Sequence, residues 1–190
     1  MAISLYDITI PVFIKNLQIL KKLLEKGVAF TKEDGVAVTE ESLAGAKLIA
    51  DMGDLVYQIQ RVSDTSKGLA QRVGGVEPVV LEDNEKTFPD MLTRIQKTIE
   101  VLEKVKGGSE QGMGEKLTSL TYCAQQKEDL DAAEDSEVVL KTRTSELKFT
   151  GKTYAINFAI PNFFFHFVTA YALLRKEGVQ VGKADYLGRN

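Results

Sequence analysis

The chain has 190 residues, 44% of them apolar, with 24 lysines and arginines, 27 aspartates and glutamates, one histidine and one cysteine. That size supports one domain, residues 1–190, around a single core, and a net charge of −3 with both signs interleaved excludes the basic stripe that tracks nucleic acid. Cys123 alone forms no internal disulfide and the opening MAISLYDITIP lacks a secretory pattern, so the expected address is cytoplasmic.

Ser4, followed three residues later by Asp7, predicts a capped helix start. Phe13, Leu17, Leu20, Leu24 and Val28 then draw one core-facing stripe. Pro11 is expected to bend this helix near its first turns, and the end falls near Lys32 or Glu33, ahead of Gly35. Thr39 to Lys47 reads as a short helix. A second long helix runs from about Asp54 to Val73, its stripe formed by Leu55, Ile59, Val62, Leu69 and Val73 with Ser66 in the remaining slot, and Gly74-Gly75 stops it. The third opens on Thr87, Pro89 and Asp90 and carries Phe88, Leu92, Ile95, Ile99 and Leu102 towards a stop at Gly107-Gly108.

Residues 109–135 read as a surface insertion, with a helical turn near Asp129 to Glu134. Val138 to Thr142 and Glu146 to Thr150 are β-prone and flank Arg143-Thr144-Ser145, which predicts a small hairpin. The last helix is expected from about Thr153 to Lys176, stopped at Gly178 and followed by an extended tail. The elements add up to an all-α fold, a four-helix bundle with a small β-hairpin before the last helix.

Tyr154 to Leu174 contains no formal charge and lies between Lys152 and Arg175. Its length suits a bilayer, but Pro161 and the polar Asn157, Asn162, His166 and Thr169 would then face hydrocarbon, and three amphipathic helices need an apolar partner. No membrane is expected. The segment reads as a buried rod whose polar atoms, that of Tyr171 included, find partners inside the protein. Asn162 and His166 stand four residues apart, so both leave one face, and Thr169 extends the ridge. Where Asp51 and Asp54 meet that ridge, His166 becomes the candidate acid/base, oriented by Asn162 and beside Asp51. Asp54, Thr169, Tyr171 and Phe163 are the candidate ligand-binding residues. Two blander readings stay open: His166 as a histidine paired for stability alone, and Phe163-Phe164-Phe165 as core or subunit interface.

The run Asn157-Phe158-Ala159-Ile160-Pro161-Asn162-Phe163-Phe164-Phe165-His166, with Ala170-Tyr171, Leu173-Leu174-Arg175, Gly178-Val179, Gly182-Lys183 and Asp185-Tyr186-Leu187-Gly188, resembles a domain-of-unknown-function family, DUF1993. Ser4-Leu5-Tyr6, Pro11-Val12-Phe13 and Asp51-Met52 extend the resemblance over nearly the whole chain. That family lies within the DinB/YfiT-like superfamily of helix bundles. The length of 109–132 resembles a eukaryotic, fungal member. The superfamily implies a divalent metal held by one histidine of the second helix and an H-x-x-x-H pair on the last, with thiol transfer or isomerisation among its activities. Here the pair reads Asn162-x-x-x-His166 and no second histidine exists, so no metal and no cofactor are expected. The resulting expectation is a cytoplasmic homodimer that binds a small organic ligand at a metal-free site. An isomerase or lyase using His166, and a purely structural homodimer, are the alternatives.

Overall fold

A computed structural model describes residues 3–105, 130–141 and 145–189. An apolar residue every three or four positions lets each long helix bury one face and leave the other to water. The long helices are α1 (Ile10–Phe30), α3 (Leu55–Arg72), α4 (Phe88–Leu102) and α5 (Gly151–Lys176), with the short α2 (Glu40–Ala44) after the first. α1 packs on α4 and α5, and α3 packs on the same two, which closes a four-helix bundle. Phe13 of α1 and Phe163 of α5 stack in its centre, ring centroids 4.3 Å apart. Each such buried side chain stabilises the fold by about 1.5–3 kcal/mol.

Strands β1 (Glu137–Lys141) and β2 (Glu146–Thr150) pair antiparallel, with Val139 opposite Lys148, and deliver the chain into α5. There Gly151 is required by close approach: a Cβ on it would lie 2.1 Å from the Ala133 carbonyl oxygen.

The cap on α4 falls where the sequence places it, and α3 starts beside Asp54 as expected, with Asp54 itself as the cap. Asp54 accepts from the Tyr57 amide at 2.9 Å, and Thr87 and Asp90 form a reciprocal capping box. Five expectations need correction. Ser4 and Asp7 do bond reciprocally, but they close a turn, and α1 starts only at Ile10. Pro11 therefore sits in the first helical turn, where its missing N–H has no partner to lose, which removes the reason for a bend. Helix α4 ends at Leu102, ahead of the glycine pair, which lies outside the described residues together with most of the 109–135 stretch. Leu130, at the end of that stretch, is fully buried, so this part belongs to the core. The tail is not simply extended: Val179 and Val181 are buried, and Lys183–Tyr186 forms a short helix, α6, whose Tyr186 packs on Phe167 at 5.0 Å.

α5 has the length and the mean hydropathy of 1.3 of a membrane span, yet Phe163, Phe167, Ala170, Leu173 and Leu174 are buried against the bundle. Its enclosure is one-sided. Asn157 and Pro161 are exposed, as are Phe165 (57%) and Val168 (45%). One turn, Ala155–Ala159, is π-helical. Pro161 follows after Ile160, and a widened turn relieves the ring's clash with the preceding carbonyls that a regular helix would impose.

Candidate functional site

In a regular helix a four-residue step overshoots a full turn by about 40°. Tyr154, Phe158, Asn162 and His166, each four apart, would therefore spiral around α5. The π turn uses more residues per turn and removes part of that drift, and all four line one cleft of about 330 Å³. Its opposite wall is the matching face of α3, with Tyr57, Arg61, Asp64, Thr65 and Arg72, and Leu140 of the hairpin contributes as well.

His166 is 9% exposed and its Nδ1 lies 2.7 Å from Gln58 Oε1. Gln58 Nε2 donates to the Gly53 carbonyl at 2.8 Å. That second bond fixes the amide, because a flipped Gln58 would set two carbonyl oxygens against each other. Oε1 is then the acceptor, Nδ1 carries the proton, and Nε2 keeps its lone pair. Nε2 has no hydrogen-bond partner among the described residues. Burial and then the Arg61 charge push the imidazole pKa down to about 4, so the ring is neutral at physiological pH.

Arg61 lies over the Tyr57 ring at 5.1 Å and pairs with Asp64 at 3.0 Å and with Asp83. Asp64 also accepts from Lys67 at 3.1 Å and from Arg94 at 2.8 Å. Asn162 donates to Thr65 Oγ1 at 2.7 Å, and Thr65 in turn donates to the Arg61 carbonyl.

Of the residues expected to form the site, only Asn162 and His166 share the cleft, and Asn162 does not orient His166. Gln58 holds the ring, and Asp64 is the carboxylate of the cleft. Asp51 is exposed in the turn before α3. Asp54 caps α3 and faces a separate depression of about 470 Å³ beyond Tyr57. Thr169 donates to the Phe165 carbonyl of its own helix at 2.7 Å. Phe163 is core, and Tyr171 packs edge-on against Tyr186 at 5.7 Å. Sequence reading missed Gln58, Arg61, Asp64 and Arg72. The polar side of α3 carried the signal, since Tyr57, Arg61, Thr65, Gly68 and Arg72 recur at steps of three and four.

Residues 5–126 and 115–187 match the model of a family described as Domain of unknown function (DUF1993). The chain belongs to that family. It is also similar to the crystal structure of a DinB family member protein from Shewanella denitrificans, with 33% sequence identity over 97% of this chain and 92% of that one and a TM-score of 0.73. No curated protein matches it.

A DinB-like bundle implies a metal, and the donors of this DUF1993 chain do not fit one. Asn162 turns its amide nitrogen to Thr65, and Asp64 is held by three cations. The Arg61 field that disfavours an imidazolium would repel a dication in the same place. Among the described residues no group of three or more histidine, cysteine, aspartate or glutamate side chains is placed to hold a metal ion.

Proposed function

We propose that this protein binds a small organic molecule, without a metal, in the cleft between α3 and α5. The observation that carries the reading is His166. Its tautomer is set by Gln58, its ring stays uncharged, and its Nε2 lone pair is left as an acceptor in a concave site. The volume of about 330 Å³ sits at the small end of ligand sites, and Tyr57, Tyr154, Phe158 and Leu140 give it the apolar walls common there. Recognition fits these residues better than acid/base catalysis. An imidazole with a pKa of about 4 has no proton to give at neutral pH and accepts one weakly.

Ligand-observed NMR with three one-ring probes, benzyl alcohol, benzoate and benzylamine, tests the reading. At least one probe is expected to bind the wild type and to lose binding in Asn162→Trp, whose indole fills the cleft from a half-buried position. Losing the Asn162–Thr65 bond costs the fold only about 1 kcal/mol, so a circular-dichroism melt verifies that the variant is folded. Absence of binding by all three, or equal binding to wild type and variant, would contradict the proposal.

A further inference from the structure

Arg72 closes α3 at one end of the cleft. Its Nη1 donates to the Tyr154 hydroxyl at 3.1 Å, and the guanidinium carbon lies 5.7 Å from the centre of that ring. Among the described residues no carboxylate pairs with it. The position is nonetheless built. Gly68 stands one turn earlier, and a Cβ there would lie 2.3 Å from Arg72 Nη1 and 3.1 Å from the Tyr154 oxygen. A glycine inside a helix costs about 1 kcal/mol relative to alanine. Here it opens the space in which the guanidinium lies back along α3 against the tyrosine.

Tyr154 is 1% exposed and accepts the Arg72 bond, so its own O–H proton remains to be donated. Burial raises its pKa against the opposing effect of Arg72, which keeps the hydroxyl protonated. Arg72 and Tyr154 thus offer neighbouring donors, the arrangement that suits the two oxygens of a carboxylate. The lining holds two arginines, Arg61 and Arg72, one carboxylate, Asp64, and a neutral His166, so it carries one excess positive charge. Phe158 stacks on Tyr154 at 5.5 Å beside these donors and offers an apolar surface.

We infer that the cleft takes a small organic carboxylate, its oxygens held by Arg72 and Tyr154 and its apolar body against Phe158 and Leu140. The inference rests on the small-molecule reading of the same cleft and adds the charge of the ligand. Two donors beside an aromatic wall favour a carboxylate over inorganic phosphate, which presents more acceptors and has no apolar part.

Isothermal titration of the full chain with benzoate, benzyl alcohol, benzylamine and inorganic phosphate separates the two claims. Benzoate is expected to bind at least about tenfold more tightly than the other three, and to lose at least about tenfold in Arg72→Gln, the loss that follows removal of a charged donor. Tyr154→Phe should weaken benzoate about threefold or more. Gly68→Ala, which displaces the guanidinium while adding a better helix former, should weaken it without lowering the melting temperature. If benzyl alcohol or benzylamine binds as tightly as benzoate, or benzoate is indifferent to Arg72→Gln, the carboxylate inference falls while the small-molecule reading stands. Phosphate binding as tightly as benzoate would overturn the organic part of the inference. If none of the four binds, both claims fall.

Discussion

Arg94 and Arg72 are two arginines on neighbouring helices with opposite surroundings. The Arg94 side chain is 1% exposed, and its terminal nitrogens reach Asp64 at 2.8 Å, Asp83 at 3.0 Å, Glu85 at 2.8 Å and the Glu82 carbonyl at 3.1 Å. Burial works against the Glu85 carboxylate, but bonds from Arg94 and Gln60 and the Arg94 charge together hold its pKa below the usual range. That cluster ties the loop before α4 to α3 and α4 and engages both terminal nitrogens of the guanidinium. Arg72, on the open side of α3, has a tyrosine hydroxyl in place of three carboxylates. A cation neutralised within the chain belongs to the architecture, whereas one supported by a helical glycine and without a counter-ion among the described residues is available to something else.

Breaking the first cluster has the largest expected effect. Arg94→Met leaves Asp64, Asp83 and Glu85 facing one another without their shared cation, and removal of one member of such a buried group costs about 3 kcal/mol. A urea melt checks this. A loss below about 0.5 kcal/mol, the range of ordinary surface substitutions, would mean that the cluster is not structural.

An intermediate effect is expected from pH. The folded-state pKa of His166 is lowered from 6.5 to about 4, so between those values the unfolded chain binds more protons than the native one. Its stabilising contribution is complete above pH 6.5, shrinks as pH falls, and levels off near 4. Discounted for the solvent that reaches the ring through the cleft, it amounts to about 1–2 kcal/mol. His166→Gln should flatten that part of the stability profile; an unchanged slope would show that the ring is not held neutral by burial and by Arg61.

The smallest effect on folding belongs to the second arginine. Arg72→Gln should change stability by less than about 0.5 kcal/mol, because the side chain is exposed and its partner is neutral. A destabilisation comparable to Arg94→Met would make the two arginines alike and remove the contrast.

Much of the bundle was legible because its signals are local. The stripe Leu55, Ile59, Val62, Leu69 and Val73 needs only helical periodicity, and all five residues are buried. Thr87 with Asp90 needs only a spacing of three, and the hairpin only β-prone runs around a break. The site was less legible because it depends on how two helices are phased. Asn162 and His166 do share a face, but Asn162 turns to Thr65, and the amide that reaches the imidazole belongs to Gln58, 108 residues away in the chain. The π turn at Ala155–Ala159 brings Tyr154 and Phe158 into line with them, and regular helical spacing does not announce it. Asp51 and Asp54 illustrate the opposite error. Carboxylates at a helix start are more economically explained by the cap and turn, and Asp54 is the cap. Gly68 four residues before Arg72 was readable in principle, as a glycine tolerated inside an otherwise strong helix.

The chain contains a single histidine, so the imidazole 15N resonances of the untagged protein report this cleft without assignment. Followed through pH and through additions of zinc, they should show a neutral Nδ1–H ring titrating near 4 and no stoichiometric response to zinc. A ring titrating near 6.5, or a saturable shift with one equivalent of zinc, would contradict a metal-free cleft with a neutral histidine.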